Sequence, residues 1–389
     1  MDFNLTEEQK MVQETVREFV QKELFPLEQD FMRNEREGRP GISDDKIMEL
    51  QMKAKDHGFW GINTPEEYGG SDLGPFMTTL INMELGKTFI PFTFAGDADN
   101  ILFNCDEKQK EKYLFPVING ERNCCFALTE PGAGSDARNI KMSAVKEGNH
   151  WILNGEKIFI TRAHKADFAM VFAVTDKEKG GRGGVTCFLV DREMGWRHEP
   201  IPTMDDWQVN SLIFDKVKVP EENILGELGK GFELAMKWIT LGRVKIGAWS
   251  IGIAERLLQM GVEQANSRMT FGKPIADYQA IQWMIADSAV EIEAAKGLVL
   301  HSAYLAEIER DARRHHASIS KLYSTNMVQR VVDRVLQIHG GMGITKEFPI
   351  ERWYRTIRKF RVFEGTDEIL RRTIAYNLLK GHVKVGKSS

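Results

Sequence analysis

Trp151-Ile152-Leu153-Asn154-Gly155-Glu156-Lys157-Ile158-Phe159-Ile160-Thr161 is the stretch on which the fold turns. Its β-branched and aromatic residues suit extended backbone, and Asn-Gly between two apolar runs is a strong short-range hairpin signal. The pattern predicts two short strands joined at Asn154-Gly155. Phe168–Val174 and residues 185–190 repeat the same texture, with a polar, glycine-rich connection over 175–184 between them. Pro200, Pro202 and Pro220 punctuate the rest of this region. The middle of the chain, 121–228, therefore reads as a β domain.

On both sides the period changes to that of a helix. Upstream, Thr6-x-x-Gln9 has the form of a capping box, and Val12, Val16, Phe19, Val20 and Leu24 come after it at helical spacing. Pro26 is expected to close that helix or to mark its last turn. A second helix is expected over 43–57, and the charge-dense run 106–112 reads as a solvated helix face. Downstream of Gly229, Ile281, Ile285, Ser288, Ile292, Ala295 and Val299 form one apolar stripe, and Met327, Val331 and Leu336 belong to another. Long amphipathic runs with short connections predict an antiparallel bundle. The expected fold class is α+β and multidomain: an N-terminal α-helical domain over 1–120, a β-barrel or sandwich-like domain over 121–228, and a C-terminal antiparallel helical bundle over 229–389.

Bulk properties narrow the function classes. A chain of 389 residues fits two or three domains at about 150 residues each. The net charge of −4 gives no electrostatic reason to expect a nucleic-acid partner. Cys105, Cys124, Cys125 and Cys187 form neither C-x-x-C nor a metal-ligand spacing, and read as thiols in a reducing compartment. Cys124 and Cys125 are neighbours in a strand-like run and should point to opposite faces. The N-terminus lacks the basic and apolar regions of a signal peptide, and no run approaches the length of a membrane span. A soluble protein of the cytoplasm is expected, in a bacterial cytosol or in an organelle matrix after presequence removal.

Most formal motif matches carry no chemistry. Residues 381–388 satisfy G-x-x-x-x-G-K-S, but the P-loop needs a strand before it and a helix after it, and here the sequence stops one residue later. His315-His316 lies in a charged helical run and reads as a solvated face rather than a metal site. Other stretches leave two readings open. Thr129-Glu130-Pro131-Gly132-Ala133-Gly134-Ser135-Asp136 can cradle a phosphate with its backbone amides and the Ser135 hydroxyl, or can be a surface turn. Ser267-Arg268-Met269-Thr270-Phe271-Gly272-Lys273-Pro274 suits a phosphate and a stacked ring, or a plain helix end. Gln337-Ile338-His339-Gly340-Gly341-Met342-Gly343 allows close backbone approach, or is a helix stop. Phe363-Glu364-Gly365-Thr366-Asp367-Glu368 offers a general base on a glycine turn, with Thr366 or Asp367 to cap the next helix, or a loop with a solvated glutamate.

In that order and spacing, T-E-P-G-A-G-S-D, N-G-E-K-I-F-I-T, R-M-T-F-G-K-P, Q-I-H-G-G-M-G and F-E-G-T-D-E-I resemble the acyl-CoA dehydrogenase family of flavoproteins. The resemblance runs from Leu5 to Leu379, and the helical, β, helical order is also that family's. It implies α,β-dehydrogenation of an acyl-CoA thioester to the trans-2-enoyl-CoA. Glu364 matches the catalytic base, which removes the α-proton while the β-hydride passes to N5 of FAD. Hydrogen bonds from the flavin ribityl and the Glu364 backbone would stabilise the developing enolate. Some members carry the base on a helix instead, immediately before the arginine that matches Arg243. This chain has Gly242 there, which leaves Glu364.

Further positions come from the same resemblance. Phe126, Leu128 and Thr129 match residues lining the flavin, with Gly134 in the adjoining turn. Phe159, Ile160 and Thr161 match the segment packed on the isoalloxazine. Ser135 matches a position shared by FAD and the CoA arm. Arg268, Phe271, Gln279, Gln337, Gly340 and Gly341 match residues that bind the FAD pyrophosphate and adenosine, partly across a subunit interface. Thr366 and Glu368 match FAD contacts after the base. Arg243, Phe363 and Gly365, with Ser135, match the substrate side. The implied partners are an acyl-CoA substrate, an electron-transfer flavoprotein as acceptor, and other copies of the chain in a tetramer or dimer, with no nucleic acid.

Departures bear on the acyl group. Phe159 stands where many relatives have tryptophan, and Phe363 where tyrosine is frequent. Trp353-Tyr354-Arg355-Thr356 lacks the usual aspartate, Asp205-Asp206-Trp207-Gln208 replaces a Gly-x-Arg-x-Ser segment, and residues 96–100 resemble a divergent branch. Branched, cyclic or functionalised acyl groups stay open beside straight chains. Two rival functions also stay open: an enoyl-CoA reductase on the same scaffold, with Glu364 donating the proton, and a non-catalytic flavoprotein that binds nucleic acid or another partner.

Overall fold

The computed structural model describes residues 4–205, 208–308 and 313–386. Residues 206–207 of the departing segment and the end of the P-loop match lie outside the described residues, as do residues 1–3. The chain divides into two compact units. One comprises Met1–Asn63, Leu73–Phe94 and Thr240–Ser389, and the other Thr64–Asp72 and Ala95–Ile239.

In the first unit, helix α1 (Glu7–Phe19) opens on the expected capping box: Thr6 Oγ1 accepts from the Gln9 N–H, and Gln9 Oε1 accepts from the Thr6 N–H. Pro26 does not close this helix. A π-helical turn, Val20–Leu24, and a 3-10 turn, Phe25–Leu27, carry the chain into α2 (Glu28–Arg36). The π turn re-registers the backbone hydrogen bonds, and a proline in the first turn of the next segment has no N–H to lose. Helix α3 (Asp44–Asp56) is capped by Ser43, whose Oγ accepts from the Lys46 N–H, and α4 (Gly74–Leu85) comes next.

The second unit holds two short helices, α5 (Glu107–Gln109) and α6 (Phe115–Ile118), and a single eight-stranded sheet. Its strands are β1 (Cys124–Ala127), β2 (Ser143–Glu147), β3 (His150–Thr161), β4 (Phe168–Val174), β5 (Val185–Asp191), β6 (Arg197–Ile201), β7 (Val209–Pro220) and β8 (Ile224–Leu225). The order is β6-β7-β3-β2-β4-β5-β8, with β1 parallel to β4. Cys124 and Cys125 do face opposite sides: Cys124 packs on the cluster of Phe168, Phe172 and Leu189, and Cys125 lies in that of Val171, Phe188 and Val190.

Asn154-Gly155 is not a hairpin. The residues on both sides of it pair with β7, Leu153 with Val217 and Glu156 with Ile213, and the register shifts between Leu153 and Gly155. Gly155 is a bulge at φ +147°, where an added Cβ would lie 2.9 Å from Met142 Cγ. The turn of this hairpin falls earlier, between β2 and β3, where Glu147 pairs with His150 and Gly148 takes φ +61°. The run 106–112 is the expected exposed face at Asp106, Glu107, Lys108, Glu111 and Lys112, with one exception. Gln109 is buried and donates to the carbonyls of Glu222 and Ile224, both at 2.7 Å. Lys112 Nζ donates to Asp191 Oδ2 at 2.7 Å, and Arg122 Nη2 to Asp191 Oδ1 at 2.7 Å. The buried Asp191 carboxylate is thereby paired with two cations.

The later helices are α7 (Gly231–Ser267), α8 (Gln279–Glu307), α9 (Arg313–His339), α10 (Ile350–Arg358) and α11 (Asp367–Leu379). Between α7 and α8, Met269–Thr270 (β9) and Lys273–Pro274 (β10) make a two-stranded ladder. In the first unit, Val244, Ile251 and Leu257 of α7, Ile292, Ala295 and Val299 of α8, and Val328, Val331 and Val335 of α9 share one core with Trp353 and Phe360. His315 is not solvated. It is 5 % exposed, and the rings of His301 and His316 lie 4.8 Å apart, with those of His315 and His316 at 5.4 Å. Burial, with the neighbouring imidazoles, holds His316 down to about 4, so the ring is neutral at neutral pH. Among the described residues no cluster suited to a metal ion occurs, and no helix is long and apolar enough to cross a membrane.

Candidate active site

In the first unit, the chain leaves α10 through the short turn Lys359–Arg361 and enters α11 through Phe363-Glu364-Gly365-Thr366. Glu364 and Gly365 take left-handed backbone conformations, φ +56° and +97°. That is ordinary for glycine and costs a glutamate roughly 1–2 kcal/mol. Thr366 caps α11, its Oγ1 accepting from the Ile369 N–H at 3.3 Å.

Two buried cations hold this turn. Lys321 of α9 is fully buried and donates from Nζ to Phe363 O at 2.7 Å and to Gly365 O at 2.6 Å. Arg243 of α7, also buried, donates from Nε to Glu364 O at 2.9 Å and from Nη1 to Ser318 Oγ at 3.2 Å. Three consecutive carbonyls are thus engaged by two cations. Burial, then Arg243, pushes Lys321 down to about 8, against the pull of Glu364 and Asp367. Burial, then Arg314, lowers Arg243 to about 10, against the pull of Glu364. Both remain charged near neutrality. Asp367, buried at the start of α11, accepts from Asn326 Nδ2 at 3.0 Å and from Arg361 Nε at 2.9 Å.

The Glu364 carboxyl lies against the α7 backbone at Gly242. A Cβ there would stand 3.1 Å from both Glu364 Cδ and Oε2. A side chain at 242 would therefore point to the spot that the Glu364 carboxyl fills, so the two alternative base positions of the resemblance meet at one place.

The first unit also contains the residues matched to the FAD pyrophosphate and adenosine. Arg268, Phe271, Gln279, Gln337, Gly340 and Gly341 are all exposed in the single chain. Phe271 is 94 % exposed at φ +47° in the β9–β10 turn. Glu368 is exposed in the first turn of α11.

In the second unit, Phe126 of β1 stacks on Trp238 with centroids 4.2 Å apart and planes at 7°, and Trp238 Nε1 donates to Asp99 Oδ1 at 2.7 Å. Leu128 and Ile160 are buried in core clusters, so only their backbones can serve a ligand. Thr129 O accepts from the Ile158 N–H at 2.9 Å, tying the turn after β1 to β3. Glu130 fixes that turn. Its carboxylate accepts from the N–H groups of Lys141 and Met142, at 2.6 and 3.0 Å, and from the fully buried Lys157 Nζ at 2.8 Å. Lys157 also donates to Leu128 O at 2.9 Å. Beyond this brace, Gly134 and Ser135 are exposed, and a Cβ at Gly132 or Gly134 would meet nothing within 4 Å, so a ligand can approach the backbone. A second register shift in β3, between Lys157 and Ile160, presents Phe159 at φ +56° with 56 % of its surface open, and Thr161 is exposed beside it.

Lys321, Ser318, Lys157, Glu130 and Asp99 have structural roles that their sequence context does not assign. Glu130 and Lys157 at least stand inside the quoted motifs. Lys321 carries no local signal beyond being a lysine inside an apolar helical repeat.

Family models for the N-terminal, middle and C-terminal domains of acyl-CoA dehydrogenases match residues 6–121, 125–217 and 229–379. A subunit of a caffeyl-CoA reductase–Etf complex from Acetobacterium woodii is 39 % identical, over 96 % of this chain and 99 % of that one. An (R)-benzylsuccinyl-CoA dehydrogenase from Thauera aromatica is 37 % identical, over 97 % of each. The structure of butyryl-CoA dehydrogenase from Megasphaera elsdenii superposes with a TM-score of 0.85 at 34 % identity, over 97 % of this chain and 100 % of that one. The fold is that of a flavin-dependent oxidoreductase acting on CH–CH bonds. The chain belongs to the acyl-CoA dehydrogenase family.

The family's cofactor is FAD. The donor set suits it. In the first unit a guanidinium matches a pyrophosphate, two carboxamides suit the polar edge of adenine, and the open ring of Phe271 suits a flat heterocycle; in the second, taken by itself, the open ring of Phe159 does too.

Proposed function

We propose that the chain oxidises an acyl-CoA thioester at its α,β bond with Glu364 as general base. The observation that carries this reading is the Glu364 carboxyl seated over Gly242 on a turn engaged by Arg243 and Lys321. The proton of the α C–H bond goes to the Glu364 carboxylate, and the electron pair of that bond becomes the new Cα=Cβ π bond. Bound FAD supplies the acceptor for the β-hydrogen, which leaves with its electron pair as hydride. Arg243 and Lys321 place positive charge beside a group that must be an anion to act as a base. In the second unit, Thr129, Thr161, Phe159 and the Gly134-Ser135 backbone are the groups that would hold the flavin and its phosphates, braced by Glu130 and Lys157.

The acyl group we assign carries an aromatic ring. Relatives named for caffeyl-CoA and (R)-benzylsuccinyl-CoA support this. A second reading, reduction of the corresponding enoyl-CoA, is favoured by the caffeyl-CoA reductase relative, and Glu364 would then donate the proton. The electron partner is an electron-transfer flavoprotein, in keeping with the Etf complex of that relative. The working assembly is a homotetramer or dimer. The open Phe271, Trp283 and Val290, 94 %, 62 % and 70 % exposed, suit cover by another copy.

The test is bleaching of the bound flavin by a panel of acyl-CoA thioesters, beside reoxidation of the reduced protein by the matching enoyl-CoAs. The expected order is 3-phenylpropanoyl-CoA ahead of butanoyl-CoA. Equal or faster reaction of the straight chain would remove the aromatic assignment, and a bleaching reaction far slower than reoxidation would favour the reductase.

A further inference from the structure

We infer that Lys321 is a positioning residue for Glu364: its ammonium pins the carbonyls on either side of the base, while Arg243 holds the base's own, and together they keep the carboxyl at the reacting position. This rests on the reading of Glu364 as the base. The geometry is specific. Lysine is rarely buried without a counter-charge at contact distance, yet Lys321 is 0 % exposed and aims Nζ at two neutral acceptors, Phe363 O and Gly365 O, at 2.7 and 2.6 Å. Those carbonyls flank the one residue of the segment that combines a left-handed backbone with a Cβ. The carbonyl between them goes to Arg243 Nε at 2.9 Å.

A turn with this backbone relaxes unless its surroundings over-determine it. Capping by Thr366 secures α11 but sets nothing about φ at Glu364. Arg243 alone holds one carbonyl, which leaves the peptide planes on both sides able to rotate. Lys321 removes that freedom, because a single Nζ bridges residues i−1 and i+1 across the base. Its side chain rises from α9, whose Val328 and Val331 belong to the bundle core, so the clamp is anchored on a helix packed in that core. A neutral polar residue could satisfy the same carbonyls singly. A flexible stem ending in a compact group with three donors reaches both.

The experiment compares Lys321→Met, Lys321→Arg and Glu364→Gln, each assayed for bound FAD, thermal midpoint, KM and kcat. Loss of a clamp that sets placement by about an ångström is expected to lower kcat by about 10²-fold, with KM and FAD content little changed. Lys321→Arg, which keeps charge and donors, should recover most of that loss. A residue that only supported folding would lower the thermal midpoint and FAD content while leaving the kcat of the folded fraction intact, and that result for Lys321→Met overturns the proposal. If Lys321→Met does not fold, Lys321→Gln is read in the same way: reduced kcat at unchanged KM supports the clamp, and unchanged kcat overturns it. Glu364→Gln separates the two readings. Activity retained there removes the base assignment, whereas activity lost there but kept in Lys321→Met removes only the clamp.

Discussion

Gly242 and Glu364 divide one small space between them. An alanine at 242 would put its Cβ 3.1 Å from the Glu364 carboxyl carbon, a contact that the end of a flexible side chain relieves by moving a few tenths of an ångström. Gly242→Ala should therefore fold normally, with a kcat about tenfold lower from displacement of the base; kinetics beside a melting curve check both halves. The charge state of the turn gives a second expectation. The ionisable groups around the Lys321 ammonium are Arg243 from α7, Glu364 on the turn and Asp367 of α11, with Arg314 acting on Arg243 and Arg361 upon Asp367. Burial brings Lys321 down to about 8 from the lysine range, so the clamp is charged at lower pH, half-charged near pH 8 and lost as pH rises through that value. Turnover should decline above pH 8, and in Lys321→Arg that decline should disappear, because arginine stays charged. The stability sign is opposite. From pH 8 to about 10.5 the unfolded chain holds the lysine proton that the folded one has released, so this group's contribution to stability rises across that window.

Strand β3 shows what a local motif can and cannot settle. Asn-Gly is a hairpin signal only where the two flanking runs pair with each other, and here both pair with β7, so the glycine becomes a bulge. Gly155→Ala meets Met142 at 2.9 Å in a conformation that L residues avoid, and should cost about 2 kcal/mol in a urea titration, with flavin binding weakened because the same strand carries Phe159 and Thr161. The helices were more legible. Thr6-x-x-Gln9 announced its cap and Thr366 was one of two candidates for another, because capping is a contact within four residues. Pro26 and His315 misled for the complementary reason: a π turn and the close packing of α8 against α9 are set by tertiary contacts that no short window contains. Glu364 was legible as a candidate from its motif, whereas Lys321 lies 43 residues before it and only the fold makes the two neighbours.

The residues matched to the adenosine end of FAD expose what the single chain leaves open. Trp283 and Val290 stand one heptad apart on α8, with Ala286, Ala294 and Gly297 on the same exposed stripe, and Phe271 projects from the turn just before that helix. Val290→Glu should shift the proposed assembly to smaller species in light scattering and lower FAD retention at the same time. Loss of assembly with FAD fully retained would separate the cofactor from the subunit interface. The order of helical segment, sheet and helical segment was readable because each part changes hydrophobic period, and the family models match in the same order. The acyl group was not, because its recognition depends on side chains far apart in sequence. The role of Glu364 can be tested before that acyl group is known. In a stopped-flow experiment, Glu364→Gln should be a yellow, FAD-loaded protein whose flavin band does not bleach with any acyl-CoA that bleaches the wild type. Bleaching at the wild-type rate would contradict the assignment of Glu364 as the base.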